Sequence, residues 1–250
     1  MRVIENKRII YDSDQEFYAH QKHRAKPADD NRVVKGRIAE ALRFCLFGGK
    51  LKYTDPPIER ADPNFSPDIR ILDVGCADGW SLVYLKRGCP RRFNFFPPKK
   101  RFCNAGGIEM IHEVVEYAQK KGRNVIQGDI RNLIIEGNAF DLIYTRHCLE
   151  HLDDPLRALK NIVKILKPKG TLLAIVPKED KDLNPEKSVH SYLFRNDDEL
   201  ARLVTAAGLR VAQSFCRSGY TYRKRKHWYK PTIRLRLMGP ELWVFADKPV

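Results

Sequence analysis

Residues 71–79 read ILDVGCADG, and this stretch decides the fold. Ile69-Arg70-Ile71-Leu72 leads in as a short apolar run of the kind found in a buried parallel strand. Gly75-Cys76-Ala77-Asp78-Gly79 is a glycine-bracketed turn, and Trp80 to Lys86 reads as a helix. A strand, a tight glycine turn and a helix make a nucleotide cradle. Glycine lets the backbone come close to a ligand, and the helix start offers free N–H groups. The dinucleotide fingerprint GxGxxG fails, because these glycines are four apart and Ala77 stands between them. Taken alone, the nine residues also fit a strand–turn–helix crossover that holds no ligand.

Downstream, strand and helix patterns alternate. Gly107-Ile108-Glu109-Met110 is the next strand, with Glu109 at its end, where one carboxylate can accept from two neighbouring hydroxyls. A helix over Ile111–Lys120 stops at Gly122, and Asn124 to Asp129 is a third strand. Phe140 to Tyr144 is a fourth, followed by Thr145-Arg146-His147-Cys148-Leu149-Glu150-His151-Leu152. Pro155 opens a helix whose expected buried stripe is Leu156, Leu159, Ile162, Val163 and Leu166, closed by Lys167-Pro168-Lys169-Gly170. Thr171 to Val176 is a fifth strand. Asn196 and Glu199 form a capping box for a helix that Gly208 ends. Leu209–Cys216 and Glu241–Asp247 complete seven strands.

The nonamer resembles motif I of the class I S-adenosylmethionine-dependent methyltransferases, of the type 11/23 methyltransferase-domain group, with Ala77 departing from the third glycine position. The run FDLIYTRHCLEHLDDP resembles the fourth motif and the helix after it, and LKPKG with LLAIVP continues the likeness. The resemblance covers roughly residues 68–215. It implies an α/β fold: a Rossmann-like, seven-stranded, mostly parallel sheet with helices on both faces and an antiparallel last strand. It implies S-adenosyl-L-methionine as cofactor and methyl transfer as the activity. Carried over by position, Asp73, Gly75, Cys76, Ala77 and Gly79 line the cofactor. Glu109 binds ribose, Met110 packs near adenine, Asp129 and Ile130 meet the adenine edge, and Arg146 and His147 contact the methionine end.

Around this domain (68–250) the chain carries a first segment, 1–67, with a short helix near Asp14–His23 and a second over about Asn31–Leu46. A proline-dense linker, 50–68, follows. The first thirty residues read as a surface arm or as a lid over the site. Two insertions mix basic and aromatic residues. Residues 88–106 read as a small hydrophobic plug, with nucleic-acid contact as the other reading. Residues 217–239 hold no acidic residue and emerge by strand direction on the cofactor edge, which favours anion contact over a solvated hairpin.

The net charge of +15 favours a polyanionic partner or acidic surface. None of the six cysteines forms a C-x-x-C, so no metal site is expected; Cys89 and Cys103 could pair only in an oxidising compartment. No secretory signal and no apolar run of the ~18 residues needed for a span is evident, so a cytoplasmic setting is the expectation.

Proton-accepting candidates are His147, His151, His190 and Tyr192, the histidines because their reference pKa lies near neutral pH. His151 reads equally well as a structural histidine satisfied by its neighbours. Tyr192, Arg223, Arg225 and Trp228 are candidates for acceptor contact. No N-P-P-Y or D-P-P-Y follows the fourth strand, which argues against amino-methylation of DNA bases. The resemblance points to an O or N nucleophile on a small or glycan-like acceptor, an anionic one included. The alternatives are an RNA-directed methyltransferase using the 217–236 arm, peripheral contact with an anionic membrane, a non-catalytic nucleic-acid-binding module, and, disfavoured by glycine spacing, a nicotinamide oxidoreductase.

Overall fold

Along the central strands apolar side chains alternate between two cores, as a two-residue period demands. Leu72, Val74, Ile143, Leu172, Ala174 and Val244 join one core. Ile71, Leu142, Tyr144, Leu173, Ile175 and Trp243 join the other. A sheet buried on both faces follows, and it needs helices on both sides. The computed structural model describes residues 3–5, 8–11, 13–22, 70–87, 104–183, 188, 190–224 and 233–250.

An N-terminal hairpin, β1 (Val3–Glu5) and β2 (Arg8–Ile10), precedes α1 (Asp14–Lys22). The main domain runs β3 (Arg70–Val74), α2 (Trp80–Arg87), β4 (Asn104–Glu109), α3 (His112–Lys120), β5 (Val125–Gln127) and β6 (Phe140–Arg146). A 3-10 turn (Leu149–His151) then leads to α4 (Pro155–Ile165), β7 (Leu166–Pro177), α5 (Asp197–Ala206), β8 (Arg210–Lys224) and β9 (Ile233–Asp247). The seven-stranded sheet has the order β5-β4-β3-β6-β7-β9-β8, with β9 antiparallel to both neighbours. The order reverses between β3 and β6, so the crevice outside their carboxyl ends is where a ligand is expected. Leu82, Val115 and Ala118 cover one face through α2 and α3. Ala158, Leu159, Leu200 and Val204 cover the other through α4 and α5.

Several boundaries differ from the sequence reading. β4 begins at Asn104, three residues inside the expected plug. Residues 166–170 belong to β7 rather than to a terminating turn. Lys169 there takes φ 62, its N–H donates to the Lys248 carbonyl at 2.9 Å, and Gly170 accepts from Lys248 at 2.9 Å. β5 is shorter than expected, because the Gly128 N–H turns back to the Glu109 carbonyl at 3.0 Å. The buried stripe of α4 is Pro155, Ala158, Leu159, Ile162 and Ile165, while Leu156 and Val163 are half-buried. At α5, Asn196 caps Glu199 N–H as expected, but the Glu199 carboxylate reaches one residue further back, to Arg195 N–H at 2.9 Å.

Two described residues of the N-terminal segment, Ile9 and Phe17, anchor it on the domain. Phe17 is fully buried in the core beside α4. Ile9, also fully buried, packs on Leu183 and Leu193, and its N–H donates to Ser191 at 2.7 Å. The second insertion is a continuation of β8 and β9. Arg217 pairs with Glu241, and Glu241 pairs with Pro177 at the carboxyl end of β7. Pairing then continues from Gly219↔Met238 to Lys224↔Ile233, so a two-stranded ribbon projects past that edge. Arg223 lies on its backbone. The ribbon tip with Arg225 and Trp228, the helix over Asn31–Leu46, the 50–68 linker, most of the 88–106 insertion, and Cys89 and Cys103 lie outside the described residues. No helix among the described residues is long and apolar enough to cross a membrane.

Candidate active site

The turn after β3 is built on left-handed residues at alternate positions: Gly75 (φ 71), Ala77 (φ 47) and Gly79 (φ 72). Gly75 and Cys76 N–H groups both donate to the Ile108 carbonyl, at 2.9 and 3.2 Å, which staples the turn to β4. Glycine at 75 is required by its protein neighbours. A Cβ there would stand 2.5 Å from both Cβ and Sγ of Cys148. Ala77 adopts a backbone that costs an L-residue roughly 1 kcal/mol, so its departure from glycine is strained and tolerated.

Beneath the turn Asp73 is 2% exposed and accepts the Ser81 hydroxyl. Burial pushes its carboxyl up to about 7; the Ser81 hydrogen bond and the Arg146 charge oppose this, while Glu109 adds to it. Asp78 is likewise buried. It accepts Trp80 N–H at 3.3 Å and pairs with Arg123 at 3.1 Å, and the Arg123 guanidinium lies 4.4 Å from the Trp80 ring. Asp73 and Asp78 therefore hold the turn from below.

Glu109, at the end of β4, ties the turn to the next helix. Its Oε2 accepts Ala77 N–H at 3.0 Å, and its Oε1 accepts Met110 and Ile111 N–H at 2.9 and 3.1 Å. Burial raises its carboxyl above the ordinary value despite those three donors. A carboxylate has about four acceptor positions, so about one is left for a ligand hydroxyl.

At the neighbouring end Asp129 meets Arg131 (2.6 Å), and Arg131 also meets Asp153 (2.6 Å). Burial alone would raise the Asp129 carboxyl, but the hydrogen bonds and charge of Arg131 hold it below the usual range. The N-terminal segment completes this corner. Tyr18 donates to Asp129 at 2.8 Å, and the Arg131 guanidinium sits 3.8 Å from the Phe17 ring centroid.

An open cleft of about 810 Å³, its mouth included, lies between these groups. Among the expected cofactor residues, Gly75, Ala77, Glu109, Met110, Asp129, Ile130 and His147 line it. Asp73, Cys76, Gly79 and Arg146 are not among the residues that line it. Cys148, Ile111 and Gly128 line it without having been anticipated.

Beyond β6 the chain turns sharply, and His147 takes φ 53. Its Nε2 lies 2.9 Å from Glu241 Oε1, which Arg146 also contacts at 3.0 Å. Its Nδ1 stands 3.8 Å from Glu150 Oε1. His151 also lines the cleft, and its Nε2 is 4.0 Å from the same Glu150 oxygen. His190 comes from the loop after β7, with its ring centroid 5.0 Å from that of His151. The structure thus brings all three candidate histidines together around one buried glutamate. Tyr192 is placed differently: its ring packs on Phe194 at 4.9 Å, against the core. Glu241, Glu150, Arg131 and Tyr18 are the residues sequence reasoning missed. Only Glu150 carried a signal, its place between two histidines in His147-Cys148-Leu149-Glu150-His151.

The fold and cleft are those of a class I methyltransferase. The family described as a methyltransferase domain matches residues 49–214, and the chain belongs to it. Curated relatives include a malonyl-[acyl-carrier protein] O-methyltransferase of Hahella chejuensis, 24% identical over 73% of this chain and 65% of its own length. Norajmaline N-methyltransferase of Rauvolfia serpentina is 26% identical over 59% of this chain and 44% of its own length. The chain thus spans less than two thirds of each of these relatives. Among solved structures, a SAM-dependent methyltransferase from Archaeoglobus fulgidus aligns with TM-score 0.53 and 13% identity, covering 88% of this chain and 95% of that one. S-adenosylmethionine is the cofactor of this class. The cleft suits a nucleoside: apolar walls from Val74, Ile108 and Leu152, and a buried carboxyl group at Glu109 that can accept a hydroxyl.

Proposed function

We propose that the chain transfers a methyl group from S-adenosylmethionine to an oxygen or nitrogen of a small or glycan-like acceptor, anionic acceptors included. The observation that carries this reading is the placement of His147 and His151 on the cleft wall that also holds Gly75, Ala77 and Glu109. A proton-handling group thereby borders the cofactor cradle. The bound cofactor supplies an activated methyl on a sulfonium. The chain's own work is to hold the two partners in line, exclude water and accept a proton.

In this reading Glu109 receives a ribose hydroxyl in its remaining acceptor position. Met110, Asp129 and Ile130 border the adenine, with Tyr18 closing that side. The Gly75–Ala77 backbone and His147 flank the methionine end. Glu241 holds His147 through Nε2, and in this reading Nδ1, 3.8 Å from Glu150 Oε1, receives the acceptor's proton. The O- and N-methyltransferases among the relatives agree with either nucleophile.

A second reading is favoured by the ribbon. It projects past the carboxyl edge on which the cleft opens, and residues 217–239 contain no acid. That arrangement suits a phosphate-bearing acceptor, RNA included. Turnover of labelled donor with small anionic acceptors and with RNA separates the two. Neutralising Arg223, Lys224, Arg225 and Lys226 together should lower turnover on the true acceptor more than cofactor affinity. Unchanged turnover would return the ribbon to a solvated surface. An RNA acceptor would show binding that falls steeply with salt.

A further inference from the structure

Cysteine spacing argued against a cysteine-built metal site, but the fold assembles a different donor set. Glu150, His151 and His190 each offer a ligand atom, and these atoms lie within 4.8 Å of one another. We propose that Glu150, His151 and His190 bind a divalent first-row transition cation at the mouth of the cleft, with a coordination position left open for an acceptor oxygen.

Four features of the cluster support this. The Glu150 side chain is fully buried, yet it stands 4.0 Å from His151 Nε2 and 3.8 Å from His147 Nδ1. A carboxylate oxygen at that position faces two imidazoles, and a cation among them would add positive charge beside a buried acid. Second, His190 Nδ1 is held by Glu179 Oε1 at 2.6 Å. A carboxylate on one imidazole nitrogen fixes the ring and makes the other nitrogen a better donor, the usual arrangement behind a metal-binding histidine. In the proposed site Nε2 is the atom offered to the cation.

Third, the two pieces of chain are fastened together. Ser191 and Tyr192 N–H donate to the Glu150 carbonyl at 2.8 and 3.0 Å, so the His190 loop is pinned to the 3-10 turn that carries Glu150 and His151. Little ordering is then needed on binding. Ligand atoms around a tetrahedral cation at about 2.1 Å stand about 3.4 Å apart, so closing from separations of up to 4.8 Å needs side-chain movements on the order of 1 Å. Fourth, His151 lines the cofactor cleft, so the cluster borders the space where the reaction would occur. Three protein ligands and an open position are the pattern of a catalytic site rather than a structural one. Two imidazoles and one carboxylate suit zinc, iron, cobalt or manganese better than calcium.

The consequence for catalysis rests on the methyl-transfer reading. An acceptor hydroxyl bound to the cation loses its proton more readily. The O–H bond breaks, its proton passes to His147 Nδ1, the oxygen forms a bond to the methyl carbon, and the carbon–sulfur bond breaks with its electron pair going to sulfur. No oxidant or reductant is needed. On this account His151 and His190 are metal ligands, and His147 remains the proton acceptor.

The test uses the full chain without a histidine tag, stripped by chelator. Zinc is titrated calorimetrically and cobalt(II) is followed by its visible absorption, with S-adenosylhomocysteine binding measured beside each. The expected result is one saturable site with cobalt bands of a four- or five-coordinate centre. His151→Ala and His190→Ala should abolish it, and Glu179→Gln should weaken it by about 10- to 100-fold. His190→Ala and Glu179→Gln, whose side chains do not line the cofactor cleft, should keep S-adenosylhomocysteine affinity in the absence of metal. Zinc binding that is absent at millimolar concentration, or unchanged in His151→Ala and His190→Ala, overturns the proposal. Cofactor binding without metal binding would sink the metal site and leave methyl transfer standing; the reverse would sink the cofactor reading and leave the metal site.

Discussion

Asp73→Asn tests whether the carboxylate under the turn is a buried, proton-holding group. Asp73 is 2% exposed, and burial pushes its carboxyl up to about 7. In the unfolded chain an aspartate titrates near 3.9. Between about pH 4 and 7 the folded state therefore binds more protons than the unfolded one, and stability falls as pH rises through that window. At about 1.4 kcal/mol per unit the full shift corresponds to roughly 4 kcal/mol. Relaxation around an ionised buried group reduces this, so about 2–4 kcal/mol is expected. Asparagine keeps an acceptor for Ser81 and has no charge to lose. Urea unfolding followed by circular dichroism, at pH 5 and pH 8 without ligand, reads the difference. Only the span from pH 5 to about 7 contributes between the two pH values, so the wild type should lose about 1–3 kcal/mol more than Asp73→Asn. Glu109 is raised in the same direction and is present in both proteins, so the variant keeps a smaller slope of the same sign. Parallel slopes within about 0.5 kcal/mol would refute the account of Asp73.

Three further outcomes are expected. Glu109→Ala should both weaken S-adenosylhomocysteine binding and destabilise the fold by about 2 kcal/mol or more, because three N–H donors lose their acceptor, whereas Glu109→Gln should keep most of the stability; calorimetry and urea unfolding check this. Gly75→Ala meets Cys148 at 2.5 Å in a left-handed backbone, so a loss of about 2–5 kcal/mol and of cofactor binding is expected, while Ala77→Gly should stay within about 1 kcal/mol of the wild type. Phe17→Ala removes a fully buried ring beside Arg131 and should cost about 3 kcal/mol, with limited proteolysis cutting the N-terminal segment first; wild-type protease resistance would contradict the docking of α1.

The fold was legible because the signals for it are local. The strand–turn–helix at 71–87, the stop at Gly122 and the cap at Asn196 each rest on neighbours in sequence. Glu109, Asp129 and His147 were legible for the same reason: each stands at the end of a strand whose pattern is clear. The unread parts depend on distant partners. Glu241 lies 94 residues from His147, and Tyr18 lies 111 residues from Asp129. Nothing in either neighbourhood announces the pairing. The resemblance carried Asp73 over as a cofactor-lining residue, whereas here it is buried on Ser81 and does not line the cleft. The β1–β2 hairpin was missed because its strands are three residues each and gain stability from Ile9 packing on the Leu183–Leu193 region. The reach of β7 back to Leu166 was hidden by Pro168 and Gly170, which read as a stop until Lys248 supplies the pairing.

The central claim is that the cleft from Gly75 to Asp129 holds S-adenosylmethionine. Isothermal titration of the wild-type chain with S-adenosylhomocysteine, with NADH as the comparison, tests it most directly. The account predicts saturable binding of S-adenosylhomocysteine in the micromolar range and none of NADH. A folded protein that binds neither ligand, or NADH alone, would contradict it.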